Sequence, residues 1–104
     1  MPDDYLIGSD IGSSSCKTLL ANTNGQVIAR ASSDYTAHHP YPGWSEYDPR
    51  DWYQTFCQTV QTVLQTSKIA PDRIRAVCIV GITHDPVLLD QKQQILRPAI
   101  HFND

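Results

Sequence analysis

The apolar run Ala76–Val80 constrains the fold most, because it follows a long stretch with helical periodicity. A nearly continuous apolar strand fits a sheet covered on both faces, and a helical crossover makes it parallel to its neighbour. The helix is predicted to begin at Asp48, a suitable N-cap, with Pro49 in the first helical position, and to end before Pro71. Gln and Thr fill one face of this helix. The apolar stripe on its other face, predicted to be core, consists of Trp52, Phe56, Val60, Val63 and Leu64.

Three short strand patterns precede the helix. They cover Tyr5–Asp10, Cys16–Ala21 and Val27–Ala31. Asn24 and Gly25 separate the second and third patterns, and this pair is typical of a tight hairpin because both residues tolerate positive φ. The three strands are therefore predicted to form an antiparallel meander.

The remaining segments complete the predicted fold. Residues 38–48, which include Pro40, Pro42 and Gly43, are expected to form an ordered but irregular loop. A second hairpin is predicted from Pro86–Asp90 and Ile95–Phe102. The result is an α/β fold with a mixed sheet in the order βββαβ, followed by this hairpin. The helix covers one face of the sheet, and the chain offers no second helix for the other face.

Composition excludes several classes of function. The chain has 8 Lys and Arg against 11 Asp and Glu, for a net charge of -3, and its basic residues are scattered. Nucleic-acid binding is therefore not expected. No apolar run is long enough for a transmembrane helix, and the acidic start of the chain does not resemble a signal peptide. The three cysteines, Cys16, Cys57 and Cys78, lie in apolar patterns and are predicted to be buried thiols in a cytoplasmic protein.

The turn after the first strand carries the most chemistry. Asp10 ends the strand, Gly12 allows a tight turn, Ser13, Ser14 and Ser15 supply hydroxyls, and Lys17 adds a positive charge. Successive turn amides can bind an anion, and a carboxylate beside them can hold a hydrated Mg²⁺. A serine-rich turn without a ligand is the alternative, and the turn by itself does not decide between them.

Four segments in the same order resemble a known family, the FGGY carbohydrate kinases of the actin-like ATPase group. The turn, as Gly8-x-Asp10-x-Gly12-Ser13-Ser14-Ser15-x-Lys17, is similar to the first phosphate loop of that family. The other segments are Pro42–Trp52, Leu88–Asp90 and Leu96–Asp104. Together they extend over the whole chain and are far more specific than the turn alone. Within the family, the xylulose kinase branch is the most similar.

The resemblance implies a ribonuclease H-like fold. It also implies that the γ-phosphoryl group of ATP is transferred, with Mg²⁺, to a sugar hydroxyl, with D-xylulose as the favoured substrate. Asp10 then corresponds to the family's catalytic aspartate that is linked to the metal. The phosphate-binding positions are Gly12, Ser13, Ser14, Ser15 and Lys17. Another ketose, a polyol or a sugar acid is the alternative substrate.

The sugar side is less well matched. Xylulose kinases usually have Gly-Gln-Met-His-Gly where this chain has Gly81-Ile82-Thr83-His84-Asp85. The resemblance implies that Thr83, His84 and Asp104 contact the substrate, and that Trp44 and Glu46 line the cleft. A surface histidine and a loop anchored by a buried Trp are the alternatives. Asp85 is an additional carboxylate that can accept from sugar hydroxyls or cap a turn.

The resemblance also implies that residues 1–104 are the N-terminal part of the first domain of such a kinase. The family's general base lies well downstream, and its adenine pocket lies in a second actin-like domain. We therefore expect this chain alone to be inactive and to self-associate through its uncovered apolar surface. A stand-alone actin-fold binding module without catalysis is the alternative.

Overall fold

The computed structural model describes residues 4–82 and 85–101. The helix and strands follow one another in the predicted βββαβ order, with two additional short strands. In chain order they are β1 (Tyr5–Ile11), β2 (Ser15–Asn22), β3 (Val27–Asp34), β4 (Glu46–Tyr47), α1 (Pro49–Ser67), β5 (Ile74–Val80) and β6 (Ala99–Ile100).

The main sheet has the strand order β3-β2-β1-β5. Strand β2 is antiparallel to both β1 and β3, whereas β5 runs parallel to β1. Gly25 has a φ of 84° in the β2–β3 turn, and the Asn22 side chain accepts from the backbone N–H of Gln26 at 2.9 Å. The predicted meander and the predicted parallel crossover are both confirmed.

Helix α1 begins and ends close to the predicted positions. The Asp48 side chain accepts from the backbone N–H of Arg50 at 3.0 Å, as an N-cap does. The hydrogen bonds from the Arg50 guanidinium to the Asp48 carboxyl lower the pKa of that carboxyl. The backbone N–H and the positive charge of Arg50 lower it further. At the other end Lys68 has a φ of 60°, and its backbone N–H bonds to the carbonyl of Leu64 at 2.9 Å.

The core lies between α1 and one face of the sheet. Its buried apolar residues are Ile7, Leu20, Ala29, Val63 and Ile69. The predicted stripe does pack against the core, but it is incomplete, because Thr55 and Thr59 are buried together with Val63. The other four residues of the stripe are only half-buried: Trp52, Phe56, Val60 and Leu64. The helix is therefore rotated towards its threonines.

A chain of buried hydroxyl groups explains this rotation. The Oγ of Ser9 lies 2.7 Å from the Oγ1 of Thr18, which lies 2.7 Å from the Oγ1 of Thr59. Thr59 also donates to the carbonyl of Phe56 at 3.0 Å. Buried hydroxyls are stable only when they have partners, and here the helix and the sheet supply partners to each other.

Strand β5 differs from its prediction. Its register confirms the parallel pairing, but residues 75–80 are exposed on both faces. Val77, Ile79 and Val80 retain 49–56% of their accessible surface. Helix α1 packs mainly on β2 and β3, so it does not reach this edge of the sheet.

The second hairpin is only partly formed. Leu89 and Ile95 make an isolated bridge, and the N–H of Leu96 bonds to the carbonyl of Leu88 at 2.9 Å. Beyond this point β6 pairs with β4, not with the first arm of the hairpin. Residues 38–48 are therefore not wholly irregular, because they supply strand β4.

The cysteines agree with their prediction only in part. Cys16 is fully buried, Cys57 is half-buried and Cys78 is exposed, and all three are free thiols. Cys78 is exposed because it lies on β5, whose surface is uncovered. Within the described part of the chain, no helix combines the length and the apolar character needed to cross a membrane.

Candidate active site

The β1–β2 turn is tight and presents two serines to solvent. The N–H of Gly12 donates to the carbonyl of Ser15 at 2.9 Å, which closes the turn. A Cβ at position 12 would lie 3.4 Å from that carbonyl oxygen, so a side chain would crowd the closure. Ser13 and Ser14 are exposed, whereas Ser15 is buried. Ser15 therefore contributes to the turn chiefly through its backbone.

Two tyrosines hold the back of this turn. The Tyr35 hydroxyl donates to the carbonyls of Gly12 and Ser15, the latter at 3.1 Å, and its backbone N–H donates to the carbonyl of Ser14 at 3.0 Å. The Tyr47 hydroxyl donates to the carbonyl of Ser13. Four successive turn carbonyls are thus bound by protein donors.

This arrangement directs two N–H groups away from the tyrosines. In a planar trans peptide the C=O and the following N–H point in opposite directions. The N–H groups of Ser13 and Ser14 therefore point away from the hydroxyls that bind the carbonyls of Gly12 and Ser13. Neither N–H group donates to an acceptor in residues 4–82 or 85–101. They lie next to the two exposed serine hydroxyls, and successive turn N–H groups of this kind can bind an anion.

Both tyrosine hydroxyls are held in their donor form. Burial is the main cause that raises the pKa of Tyr35, followed by electrostatic repulsion between its ionised form and the neighbouring acidic groups Cys16, Tyr47 and Asp10. Burial also raises the pKa of Tyr47, with a smaller contribution from Asp85. A tyrosine is already protonated at neutral pH, and the raised pKa extends this donor form to higher pH, so both hydroxyls remain donors to the turn.

Asp10 and Lys17 lie beside the turn on the open face of the sheet, opposite to α1. They are directly paired across β1 and β2, and Lys17 is paired with Ser32 on β3. Asp10 and Lys17 are both exposed. Both residues line a shallow, open cavity with a volume of about 750 Å³. Its complete lining consists of Gly8, Ser9, Asp10, Lys17, Thr18, Leu19, Arg30, Ala31, Ser32, Cys78 and Val80.

The residues at this position fit a hydrated magnesium ion better than a metal enclosed by protein ligands. No group of three or more His, Cys, Asp or Glu side chains is placed to hold a metal within residues 4–82 and 85–101. Mg²⁺ commonly uses one or two carboxylates, with water and substrate phosphates as its other ligands. Asp10 supplies such a carboxylate beside the predicted phosphate position.

The predicted sugar-side residues Thr83, His84 and Asp104 lie outside the described residues. Ile82, which directly precedes Thr83 and His84 in the sequence, packs against the cluster that contains Cys16, Tyr35 and Tyr47. Asp85, just after the pair, has a buried side chain whose Oδ2 lies 2.8 Å from Nδ1 of His101.

Sequence and structure comparisons identify the family. Residues 5–104 match the N-terminal domain of the FGGY family of carbohydrate kinases. This chain belongs to the FGGY family. The xylulose kinase of Bacillus subtilis is 39% identical over 100 residues, which cover 96% of this chain and 20% of that protein. A glycerol kinase of Albidiferax ferrireducens is 34% identical over 88 residues, which cover 85% of this chain and 18% of that protein.

A solved FGGY structure agrees with the fold. The xylulose kinase of Rhodospirillum rubrum superposes with a TM-score of 0.86 at 32% identity, covering 96% of this chain and 20% of that one. The predicted ribonuclease H-like, actin-like ATPase fold is therefore confirmed as a partial domain. The chain spans about one fifth of the length of the curated relatives that it matches.

The structure adds residues to this FGGY site that the sequence did not indicate. Tyr35 and Tyr47 bind the back of the turn, yet neither occupies a position that periodicity or turn chemistry marks. Glu46, predicted to line the sugar cleft, has a buried carboxylate that forms an ion pair with Arg97. Trp44 is 45% exposed and packs edge-on against Tyr41, with ring centroids 4.8 Å apart.

Proposed function

We propose that the protein containing these residues transfers the γ-phosphoryl group of ATP to a hydroxyl of a ketose, with D-xylulose as the favoured substrate. We also propose that this protein is cytoplasmic. Residues 1–104 would be the N-terminal part of its first domain. The observation that carries this proposal is the β1–β2 turn, whose carbonyls are bound from behind while two N–H groups and two hydroxyls face outward. The similarity to xylulose kinases supports the choice of sugar.

In this proposal, Ser13 and Ser14 bind phosphate oxygens through their backbone N–H groups and hydroxyls. Lys17 adds positive charge from the neighbouring strand. Gly12 permits the closure of the turn, and Ser15 maintains that closure through its carbonyl. Phosphoryl transfer depends mainly on positioning and charge neutralisation, so a turn of this kind contributes without forming a covalent bond.

Asp10 holds the divalent cation in this proposal. Its exposed carboxylate lies at the end of β1, next to the predicted phosphate position. A bound Mg²⁺ would neutralise developing negative charge on the phosphates. The general base that accepts the sugar proton and the residues that bind adenine are assigned to the remainder of the longer protein.

Thr83, His84 and Asp104 remain our predicted sugar contacts. Their hydrogen-bonding groups would decide which sugar is accepted, because a polar site rejects analogues that leave its groups unpaired. A second candidate, a kinase for another ketose, a polyol or a sugar acid, is supported by the similarity to glycerol kinases. A non-catalytic actin-fold binding module is a third candidate from a different class.

The test is a substrate panel with the full-length protein. Turnover with Mg²⁺ and ATP is measured for D-xylulose, other ketoses, polyols including glycerol, and sugar acids. We expect the highest kcat/KM for D-xylulose. A higher kcat/KM for another compound would support the second candidate, and binding of sugars without turnover of any of them would support the binding module.

A further inference from the structure

Asp85 and His101 form a buried pair outside the predicted phosphate and sugar contacts. Their side chains are 1% and 4% exposed, and Nδ1 of His101 lies 2.8 Å from Oδ2 of Asp85. With the Asp85 carboxylate as acceptor, His101 Nδ1 is the donor of this hydrogen bond. The backbone N–H of His101 also bonds to the carbonyl of Ser45 at 2.8 Å. A buried carboxylate without a partner lowers the stability of the fold, so the bond to His101 holds the Asp85 side chain in this position.

The pair is in contact with the phosphate turn through one residue, Tyr47. The His101 ring packs edge-on against the Tyr47 ring, with centroids 4.9 Å apart and planes at 84°. Tyr47 in turn donates its hydroxyl to the carbonyl of Ser13. Asp85, which follows the predicted sugar contacts Thr83 and His84 in the sequence, is therefore connected to the predicted phosphate turn through His101 and Tyr47.

Both ends of the sugar-side pair are attached to the same region. Ile82 packs against the cluster of Cys16, Tyr35 and Tyr47, and Asp85 reaches the edge of that cluster through His101. Residues 83–84 lie between these two attachment points in the sequence. A shift of Asp85 would therefore change the packing of Tyr47, and Asp85 directly follows the predicted sugar contacts in the sequence.

We propose that Asp85 and His101 are positioning residues, which hold the phosphate turn in place through Tyr47 and connect it to the position that follows the predicted sugar contacts in the sequence. This inference rests on the proposed function. In this proposal neither residue contacts the reacting atoms, and each acts through another side chain. Side chains that orient a site without contacting the substrate typically change its activity about 10- to 100-fold when they are lost.

The experiment measures kcat and the KM values for D-xylulose and ATP in the full-length protein. We expect Asp85→Ala to raise both KM values and to lower kcat about tenfold or more. Asp85→Asn keeps a hydrogen-bond acceptor and should recover part of the loss. His101→Phe keeps a ring against Tyr47 but removes the hydrogen bond, so it should resemble Asp85→Ala in the KM for the sugar more than in the KM for ATP.

A double-mutant cycle with Tyr47→Phe tests the route to the turn. If Asp85 acts on the turn through Tyr47, its effect on the KM for ATP should largely disappear when Tyr47 no longer donates to Ser13. An equal effect of Asp85→Ala in both backgrounds would overturn the proposed route. Unchanged KM and kcat values per folded molecule in every Asp85 and His101 variant would overturn the proposal itself.

Arg97→Gln is the matched control. It breaks the ion pair between the half-exposed Arg97 and the buried Glu46, which lies next to Tyr47 in β4. We expect it to lower stability while leaving both KM values unchanged. Equal KM changes in this variant would show that any loss of an ion pair disturbs the site, and would contradict a specific role for Asp85.

Binding of Mg²⁺-ADP separates this inference from the proposed function. Calorimetry on the same variants reports the turn without requiring turnover. If the unaltered protein phosphorylates no sugar but binds Mg²⁺-ADP, the proposed function fails, and a weaker affinity in Asp85→Ala that depends on Tyr47 still supports the connection. If it binds no nucleotide, both proposals are overturned.

Discussion

The two faces of the main sheet differ sharply although the same strands form both. The face under α1 buries Ile7, Leu20 and Ala29 and links Ser9 to the helix through a chain of hydroxyl groups. The open face presents Asp10 and Lys17 at one end and exposed apolar side chains elsewhere. One face therefore stabilises the fold, and the other supplies the predicted ligand contacts.

Strand β1 shows how closely these two roles are interleaved. Successive side chains of a strand point to opposite faces, so neighbours in sequence serve different purposes. Ser9 is buried under the helix, while Asp10 is exposed beside the turn. A single-residue slip of this strand would exchange the two sets of residues. A substitution at Ser9 should therefore lower the stability of the fold, whereas a substitution at Asp10 should lower the activity.

The largest expected effect is the loss of turnover in Asp10→Asn. Removing the carboxylate charge should lower kcat of the full-length protein by about two orders of magnitude or more, because the metal loses its protein ligand. The free energy of unfolding should change little, since Asp10 is exposed. Steady-state kinetics and urea unfolding of the same preparation measure the two quantities.

Ser9→Ala is the control from the buried face. It removes the hydroxyl bonded to Thr18 at 2.7 Å and should cost about 1 kcal/mol of stability while leaving kcat nearly unchanged. Asp72→Asn, an exposed carboxylate before β5, should change neither quantity. Normal turnover in Asp10→Asn would refute the metal role.

Leu19 and Leu20 provide the next largest contrast, in stability alone. Leu20 is fully buried under α1, whereas Leu19 is half-buried on the open face. In this 104-residue chain, Leu20→Ala should lower the free energy of unfolding by about 3 kcal/mol, because it removes core contacts and leaves a cavity. Leu19→Ala should cost less than about 1 kcal/mol. Equal losses in urea unfolding would mean that the open face is covered in solution.

Much of the fold could be predicted because local patterns and tertiary structure agree. The Asn24–Gly25 turn, the Asp48 N-cap and the alternation in β1 and β2 all depend on near neighbours in the sequence. The buried threonines could not be predicted in this way. Thr59 is buried because its hydroxyl meets Thr18, which is 41 residues distant in the sequence. Hydrophobic periodicity counts both residues as polar and assigns Thr59 to the exposed face.

The candidate site divides in the same manner. Asp10, Gly12, Ser13, Ser14 and Lys17 all lie within residues 10–17, so their pattern could be recognised, and the structure places them around one turn. Tyr35 and Tyr47 reach that turn from 20 to 34 residues away, through hydroxyl groups that donate to carbonyls. Any backbone carbonyl can accept such a bond, so the sequence carries no local signal for it.

The smallest expected effect concerns self-association through the open face. Ile28 and Val80 are 43% and 56% exposed, and exposed apolar surface of this kind favours contact between molecules. We expect the 104-residue chain to sediment faster than a monomer, and the double variant Ile28→Lys/Val80→Lys to shift it towards the monomer. Tyr53→Lys alters a side chain of α1 that is 69% exposed, and should leave the sedimentation unchanged. Monomeric behaviour of the unaltered chain would show that exposed apolar side chains on this face are too dispersed to join two molecules, and the contrast between the two faces would then be one of ligand chemistry alone.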